Sequence, residues 1–329
     1  MSVEETASGD PNRARAHWDE AAAARELGGH RGWLDSSIVL SEIVLPRVSG
    51  SGSKHWLVGL CERIGLARDL RWLSLGCGAA GQEMLAARNG LFATMEAVDI
   101  SQVSLGIARA SADAQGIANI EFREGDLNRI SLPEGKFDVV LMNMSLHHVE
   151  KLERLLDEVH RTLVPGGWLL AHEYVGPRQF QFPDQQLRIV ERLLATLPER
   201  FRLDSTTGEI KREYIRRPPS WWAQADPSEA IRSDRILNEI ERRFDVLDRR
   251  DYGGAVLHLL LEHIVQNFDA GKSKDVCWIR ALGEVEALLQ ENGVIQSDFV
   301  LLGGKKRAAA GPGRASWVRR AARLFGMAK

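Results

Sequence analysis

The sequence predicts an α/β fold, in which a doubly wound, seven-stranded mixed sheet carries a helical N-terminal lid and helical insertions. Short apolar runs that end in glycine or an acid alternate with helical stretches between residues 54 and 175. Such alternation is typical of parallel strands joined by right-handed helical crossovers. Two later strand-like runs, DVLDRRDY and SDFVLLGGKK, each follow a helical stretch and complete the seven.

The predicted elements of the sheet follow one another regularly. The helix HWLVGLCERIGL precedes the strand RWLSLG, and a helix over 82–88 leads to the strand ATMEAVDI. Ser101 then stands where a helix N-cap is expected, because its hydroxyl can accept a hydrogen bond from an amide of the first turn. The strands IEFREGD, FDVVLMN and GWLLAHEYV follow, and the helix LERLLDEVHRTL separates the last two.

The remaining segments have mostly helical patterns. Helical periodicity runs over 36–48, and residues 176–230 combine helical patterns with Pro, Arg and aromatic residues. The run DPSEAIRSDRILNEIERRF predicts a helix with Asp226 as its cap and Pro227 at its first position. A further helical stretch is predicted over 255–292. We interpret 176–230 and 255–292 as insertions that cover the functional edge of the sheet.

Composition limits the class of protein. The 329 residues are 44% hydrophobic and 27% charged, which is ordinary for a globular protein with a sizeable core. Three cysteines are too few and too scattered for a disulfide framework, and we find neither a signal-peptide pattern nor an apolar run of membrane-spanning length. We therefore expect a cytoplasmic protein. Before its basic C-terminal stretch the chain is acidic overall, which argues against nucleic acid as a partner.

A glycine-rich turn and an acid indicate a nucleotide-like ligand. Gly76, Gly78 and Gly81 have the G-x-G-x-x-G spacing between a predicted strand and a helix, where the missing side chains let backbone approach a ligand closely. Tight turns without a ligand also use glycine, so this spacing alone is ambiguous. Asp99 ends the next strand, where a carboxylate can accept both hydroxyls of a ribose. A dinucleotide and an adenosine both satisfy these two features.

Three further sequence runs help to decide between a dinucleotide and an adenosine as the ligand. Gly125 and Asp126 close the third strand, where a carboxylate can bind the exocyclic amine of adenine, and FDVVLMNMSLHHVE and LVPGGWLL follow. Together with LSLGCGAAG and AVDIS, these runs resemble the ordered motifs of class I S-adenosylmethionine-dependent methyltransferases over about residues 54–175. The last helix and the strands DVLDRRDY and SDFVLLGGKK are similar to the closing helix and antiparallel strand pair of that Rossmann-like fold.

The resemblance implies a cofactor, S-adenosyl-L-methionine, and a set of residues that bind it. It implies that Gly76 and Gly78 flank the methionine part, that Asp99 binds the ribose, and that Asn143 lies beside the sulfonium. Asp126 with Leu127 is implied to hold the adenine, and Gly81 and Ile100 complete the predicted cofactor-binding set.

One position departs from the family pattern. Many members carry an acid two residues before the first glycine, where this chain has Ser74. Glu83, inside the following helix, is the nearby acid, and the sequence leaves open what anchors the amino group of the cofactor. A nicotinamide dehydrogenase is the rival prediction, but Glu83 would compete with a pyrophosphate for the positive helix end. The Gly-Asp and Pro-Gly-Gly runs are also unnecessary for binding a dinucleotide.

His147, His148 and Glu173 are the candidate catalytic residues. Both histidines follow the fourth strand and Glu173 lies near the end of the fifth, so all three are predicted at the edge where the methyl group would lie. An oxygen nucleophile must lose its proton, and histidine suits this task near neutral pH. The histidines alternatively cap a helix, pack beneath the cofactor or shape the pocket. Glu173 either orients a histidine, accepts the proton itself or binds a substrate hydroxyl. No metal site is predicted, because the histidines lack ligand spacing with other His, Cys or acidic residues.

These observations give a domain division and a function. We predict a helical N-terminal lid (1–53, with Trp18 as a candidate lid residue), a cofactor-binding core (54–175), a cap insertion (176–230), the end of the core (231–306, with the insertion 255–292) and a basic tail (307–329). The segment GWLDSS…SGSGSKHWL resembles bacterial methyltransferases of cell-surface glycan assembly. It favours O-methylation of a glycan, glycolipid or other small-molecule acceptor. The alternatives are a C-methyltransferase that acts on a quinone-like or lipid acceptor, and a non-catalytic cofactor-binding scaffold.

The basic tail suggests a peripheral membrane contact at the inner face of the membrane. In ASWVRRAARLFGMAK, apolar residues recur at helical spacing on one side and arginines fall largely on the other. A short basic amphipathic helix with an aromatic residue suits the boundary of an anionic bilayer. A disordered tail, or a helix docked on the acidic body, is the alternative.

Overall fold

Seven strands form one mixed sheet in this computed structural model, which describes residues 11–26 and 32–307. The strands are β1 (Arg71–Leu75), β2 (Thr94–Asp99), β3 (Ile120–Glu124), β4 (Phe137–Asn143), β5 (Leu163–Tyr174), β6 (Phe244–Gly253) and β7 (Phe299–Lys306). Their order is β3-β2-β1-β4-β5-β7-β6. β1 to β5 run parallel, and β7 is antiparallel to both of its neighbours, β5 and β6. The doubly wound, seven-stranded mixed sheet predicted from sequence is confirmed.

The strand order places a crevice at the carboxyl ends of β1 and β4. The chain moves outward from β1 to β2 and β3, and then returns to β4 on the other side of β1. At such a switch point the connections leave in opposite directions, and the space between them is the usual ligand site of open α/β sheets.

Helices cover both faces of the sheet. Their bounds are α1 (Pro11–Glu26), α2 (Ser37–Val39), α3 (Leu45–Ser49), α4 (Trp56–Arg63), α5 (Gly81–Arg88), α6 (Gln102–Ala114), α7 (Leu152–Thr162), α8 (Asp184–Thr196), α9 (Glu199–Arg202), α10 (Pro219–Ala225), α11 (Ile236–Arg243), α12 (Leu257–Leu261) and α13 (Ser273–Glu291). A π-helical segment, Leu40–Val44, joins α2 to α3 without a break.

Alternating apolar residues on the strands build two cores. On β1, Leu73 packs with Val140 of β4 and the apolar side of α7 and α11. Its neighbour Trp72 points to the opposite face and packs with Val139 and with residues of α4, α8 and α12. The two-residue period of a strand thus divides its side chains between the two layers. Each fully buried large apolar side chain stabilises the fold by about 1.5–3 kcal/mol.

Most predicted elements lie where the sequence places them. Ser101 is the N-cap of α6, and its Oγ accepts a hydrogen bond from Ser104 N at 3.0 Å. The prediction of a helix that starts at Pro227 is wrong, because the regular helix begins only at Ile236. Asp226 instead closes a turn by accepting from Ser228 N at 2.9 Å. The stretch 255–292 divides into α12 and α13, which a short helical turn and a loop separate.

The division of the segments outside the core into a lid, a cap insertion and a tail stays a prediction. α1 lies against α6, and α8 to α10 lie within the predicted cap insertion. Residues 308–329, with most of the predicted tail, fall outside the described residues. Arg307 lies with the sheet, since its Nε donates to Asp245 Oδ1 at 2.8 Å. No helix within 11–26 or 32–307 combines the length and apolar character needed to cross a bilayer.

Gly254→Ala should strongly destabilise the fold. Gly254 has φ +87°, and an added Cβ would lie 2.3 Å from Phe299 Cδ2 and 2.9 Å from Trp33 Cζ2, both in the core. Left-handed strain and overpacking together should lower the free energy of unfolding by on the order of 3 kcal/mol. Gly116→Ala is the matched control, because Gly116 has φ +65° and no atom within 4 Å of an added Cβ. Equal urea midpoints for the two variants would contradict the packing argument.

Candidate active site

The glycine turn after β1 lies tightly against the sheet edge and leaves open space in front of it. The amides of Gly76 and Cys77 donate to Val98 O at 2.8 and 3.1 Å. Gly76 has φ +74°, and a Cβ there would lie 2.5 Å from Ser145 Cβ, so only glycine fits. Gly78 has φ +52° and no atom within 4 Å of an added Cβ. The turn is therefore packed on one side and can receive a ligand on the other.

Asp99 ties the glycine turn to the start of α6. Its Oδ2 accepts from Gly78 N at 2.7 Å and its Oδ1 accepts from Ser101 N at 2.9 Å. Burial raises the pKa of this carboxyl, while the backbone hydrogen bonds act in the opposite direction. Each carboxylate oxygen keeps a second lone pair, which is the geometry that two neighbouring hydroxyls require.

The other predicted cofactor residues gather at the same edge. Asp126 follows β3, and its Oδ1 accepts from Asn128 N at 2.8 Å. Leu127 Cδ1 lies 3.6 Å from the position of an added Cβ on Gly76. Ile100 is half-buried directly after β2, and Gly81 is the exposed first residue of α5. The ends of β1, β2 and β3 thus bring together residues that are far apart in sequence.

Asn143, the last residue of β4, is held by a buried polar chain. Its Oδ1 lies 2.8 Å from His172 Nδ1, and His172 Nε2 lies 2.6 Å from the Tyr252 hydroxyl. Burial lowers the pKa of His172 to about 3, so the ring is neutral at physiological pH. A tyrosine hydroxyl that donates to Nε2 leaves the proton on Nδ1, which donates to Asn143 Oδ1. The amide nitrogen of Asn143 then faces away from His172.

Glu173 organises the turn that follows β4. Its Oε1 accepts from both Ser145 N and Leu146 N at 2.7 Å, and its Oε2 lies 2.8 Å from His147 Nδ1. Glu173 is fully buried and His147 is 4% exposed. A carboxylate with two amide donors and an imidazole partner is well satisfied, so its burial is tolerated. Of the two candidate histidines, only His147 pairs with Glu173.

Two carboxylates surround the imidazole of His147. The second is Glu229 of the cap insertion, whose Oε1 lies 3.7 Å from His147 Nε2. Burial acts to lower the pKa of His147, but the hydrogen bond to Glu173 and the charges of Glu173, Glu229 and Asp226 together raise it above the ordinary 6.5. The hydrogen bond to Glu173 orients the ring and leaves Nε2 as the atom that faces the cap.

His148 faces the N-terminal helix. Its ring lies 4.6 Å from that of Trp18, edge to face, and its Nδ1 lies 3.4 Å from Ser228 Oγ. On the same helix, His17 Nε2 lies 3.1 Å from Asp226 Oδ2. This hydrogen bond raises the pKa of His17. The two predicted catalytic histidines therefore have different partners. His147 is hydrogen-bonded to Glu173, whereas His148 contacts Trp18 of α1.

His147, His148 and Glu229 lie close enough together to form a possible metal-binding group. Each offers one possible ligand atom, and these atoms lie within 4.8 Å of one another. Spacing along the chain could not reveal the group, because Glu229 comes from a distant insertion. Metal binding requires an unprotonated imidazole, whereas the surrounding carboxylates favour a proton on His147. We assign no metal to these residues, and the absence of a metal site stays a prediction from sequence.

An aromatic wall begins beside the pair of His147 and Glu173, which we call the dyad. We define the wall as Tyr174, Phe180, Phe182, Trp222 and His258. Tyr174 lies 6.2 Å from the His147 ring, and Phe180 lies 5.0 Å from both Tyr174 and Trp222. Phe180 has φ +54°, and its predecessor also has a positive φ. Strained non-glycine backbone of this kind persists only where the surrounding structure holds it, and it clusters at functional sites.

Reasoning from the sequence missed several residues of this region. Glu229, Asp226 and Ser228 come from the cap insertion, where the Asp-Pro-Ser run indicates a helix start rather than a site. Tyr252 lies on β6, and nothing in its local pattern signals a bond to His172. The available signal was the polar pair His172 and Glu173 near the end of a mostly apolar strand, of which Glu173 was predicted.

Known proteins with similar sequences are methyltransferases. A family model described as a methyltransferase domain matches residues 73–171. The demethylmenaquinone methyltransferase of Tropheryma whipplei (strain Twist) is 30% identical over 174 residues, which are 52% of this chain and 68% of that protein. The fatty-acid O-methyltransferase of Mycolicibacterium smegmatis is 31% identical over 130 residues, 40% of this chain and 46% of that protein.

A solved structure shows the same fold over most of the chain. The geranyl diphosphate C-methyltransferase from Streptomyces coelicolor A3(2), in complex with Mg²⁺, geranyl diphosphate and S-adenosyl-L-homocysteine, superposes with a TM-score of 0.50. It is 13% identical, and the match covers 93% of this chain and 100% of that one. The open glycine turn, with acids at the ends of β2 and β3, fits S-adenosylmethionine as cofactor. The chain belongs to the class I S-adenosylmethionine-dependent methyltransferases.

Proposed function

We propose that this enzyme methylates a hydroxyl oxygen of a glycan, glycolipid or other small-molecule acceptor, and that His147 removes the hydroxyl proton. The observation that carries the proposal is the buried dyad of His147 and Glu173, whose Nδ1 and Oε2 atoms lie 2.8 Å apart. A nitrogen held in this way at the edge beside the cofactor turn is placed to act as a general base.

The chemistry divides between the cofactor and the chain. When bound, S-adenosylmethionine supplies an activated methyl group, whose transfer to the acceptor leaves S-adenosylhomocysteine. His147 Nε2 takes up the hydroxyl proton, so a full negative charge does not form on the acceptor oxygen. Glu173 keeps the other ring nitrogen protonated and stabilises the imidazolium that results. General-base catalysis of this kind contributes about 10²- to 10⁴-fold in rate.

The aromatic wall supports an acceptor with an apolar part. Phe180 and Trp222 are half-buried and continue the wall from Tyr174, and aromatic side chains bind an acyl or prenyl chain, a planar ring or the C–H face of a sugar. A glycolipid fits both observations: its lipid part would contact the aromatic wall, and its glycan part agrees with the resemblance to enzymes of cell-surface glycan assembly.

C-methylation of a quinone-like or lipid acceptor is the second candidate. The names of the two relatives divide between the candidates: one gives a quinone-like acceptor, demethylmenaquinone, whereas the other is an O-methyltransferase that acts on a fatty acid. The same dyad would then remove a proton from the ring or chain. A scaffold without catalysis is the least supported alternative, because it has no use for a buried histidine between two carboxylates.

We propose that α1 is a lid over the cofactor. Asp19 Oδ1 accepts from Ser101 Oγ at 2.6 Å and from Val103 N at 3.2 Å, directly beside Asp99. Arg15 pairs with Glu124 at the end of β3. The helix thus bridges the ends of β2, β3 and β4, and a ligand between these strand ends would be enclosed. Its departure would require these contacts to open.

The peripheral membrane contact also stays a proposal, based on the sequence of the tail. Since Arg307 lies with the sheet, the segment available for a bilayer begins after it. A lipid-linked acceptor would give such a tail a purpose, and each basic residue near an anionic surface contributes about 1 kcal/mol.

Labelled methyl transfer tests the proposed reaction. Lysate fractions incubated with the enzyme and ¹³C-methyl cofactor should yield a product whose mass rises by one methyl group. Its carbon resonance should lie in the methoxy region, and a C-methyl resonance would select the second candidate. With that acceptor, His147→Asn should lower kcat by about 10²- to 10⁴-fold at near-normal affinity for S-adenosylhomocysteine. His160→Asn, on the distant face of α7, is the control and should retain full rate.

The pH dependence checks the same assignment. A base works only when unprotonated, so kcat should rise with pH through a pKa above 6.5. Glu229→Gln removes one charge that raises this pKa, and the midpoint should move to lower pH. A profile that is unchanged by Glu229→Gln, together with a silent His147→Asn, would remove the dyad from the mechanism.

Asp19→Ala should loosen the proposed lid. Loss of two hydrogen bonds from a carboxylate should speed dissociation of S-adenosylhomocysteine by about tenfold or more, measured by stopped-flow tryptophan fluorescence. Glu20→Ala changes an exposed acid on the same helix and should leave the rate unchanged. Equal rates in the wild type and Asp19→Ala would show that α1 does not gate the cofactor.

Co-sedimentation with vesicles tests the tail. The full chain should pellet with phosphatidylglycerol vesicles at low salt and less at high salt, because surface attraction is screened. A chain that ends at Arg307 should remain in the supernatant. Equal behaviour of the two chains would leave the tail without a role at the membrane.

A further inference from the structure

A buried pair, Ser74 and Glu83, lies beneath the glycine turn. Ser74 is on β1 and Glu83 is in the first turn of α5, and each is only 2% exposed. Ser74 Oγ donates to Glu83 Oε1 at 2.5 Å. The long side chain from the helix therefore brings its carboxylate to the end of β1, where the short serine leaves room.

Glu83 lacks the partner that a buried carboxylate needs. No Lys, Arg or His of residues 32–307 forms an ion pair with it, and the serine hydroxyl is its side-chain partner. Burial raises its pKa to about 7. The adjacent Gln82 has a buried amide oxygen that accepts no hydrogen bond from the described part of the chain. A buried carboxylate without a cation and a buried amide oxygen without a donor, both next to a ligand turn, indicate a ligand that carries hydrogen-bond donors and a positive charge.

The surroundings of Glu83 belong to the cofactor turn. Burial raises the pKa of the Cys77 thiol in that turn, and the charges of Glu83 and Asp99 act in the same direction. Asp99 also raises the pKa of Glu83 itself. Two carboxylates thus flank the turn, and the space in front of Gly78 is open. The cofactor carries a permanent sulfonium charge and an ammonium group on its methionine part, so its charge complements this pocket.

We propose that Glu83 is the carboxylate that binds the α-ammonium group of the cofactor, with Ser74 holding it in position. The carboxylate that the family resemblance implies at the position of Ser74 would in this chain come from the helix instead. The ammonium supplies the missing cation, and binding drives Glu83 fully to its ionised form. This inference rests on the cofactor alone and is independent of the acceptor and of His147.

Calorimetry with two ligands isolates this contact. S-adenosylhomocysteine carries the amino-acid part, whereas methylthioadenosine contains the adenosine without it. Glu83→Gln should weaken binding of S-adenosylhomocysteine by about 10- to 100-fold, the effect of losing a charge-assisted hydrogen bond. It should leave the affinity for methylthioadenosine within about twofold of the wild type, since that ligand has no ammonium group.

Proton release gives a second readout. At pH 7 part of the Glu83 population is protonated, so binding of S-adenosylhomocysteine to the wild type should release protons. The measured enthalpy should then vary with the ionisation enthalpy of the buffer. The dependence should disappear in Glu83→Gln and with methylthioadenosine.

A relocated acid serves as the control for folding. In the double variant Ser74→Asp with Glu83→Ser, the carboxylate moves to the strand and the hydroxyl to the helix, so selective binding of S-adenosylhomocysteine should return. An unchanged ratio of the two affinities in Glu83→Gln overturns the proposal. So does an equal loss for both ligands, which would assign Glu83 to the fold of the turn. If Glu83→Gln does not fold, failure of the double variant to prefer S-adenosylhomocysteine has the same meaning.

Discussion

A single buried carboxylate, Glu173, joins the parts of the active edge. One of its oxygens accepts two amides of the turn after β4, and the other pairs with His147. The turn after β4 also lies close to the glycine turn, because a side chain at Gly76 would collide with Ser145. The ends of β1, β4 and β5 are therefore coupled through one side chain. Truncation of this side chain would leave buried donors without an acceptor, which is costly in a dry interior.

Four carboxylates lie in two pairs around this edge of the sheet. Asp99 and Glu83 flank the cofactor turn, and Glu173 and Glu229 lie on either side of His147. Like charges at close range are unfavourable unless a cation is present. On the assignments proposed above, a ligand that carries a sulfonium and an ammonium group would relieve the first pair, and a proton on His147 would relieve the second. The proposed site would then be complementary to cations that appear during the reaction cycle.

Cap and N-terminal helix meet above this edge through polar contacts rather than a packed core. His17 bonds to Asp226, and Trp18 contacts His148 edge to face. Burial acts to raise the pKa of Asp226, yet the bond to His17 and the nearby charge of His148 hold the pKa well below its usual range. Contacts of this kind open more readily than the apolar layers below the sheet, because few buried apolar groups must separate. An enzyme that must release its spent cofactor requires such a boundary.

Local pattern determined the sheet and the cofactor edge of this protein, whereas long-range packing decided the chemistry. Strand periodicity, the glycine spacing and Asp99 are readable because each depends on neighbours a few residues away. Asp226 shows the limit: its sequence context suits a helix cap, but the folded chain uses it to bind α1. Whether His147 or His148 meets Glu173, and whether Glu83 reaches Ser74, depends on side-chain directions set by tertiary contacts. Glu229 and Tyr252 join the site from distant segments, and no local spacing encodes that approach.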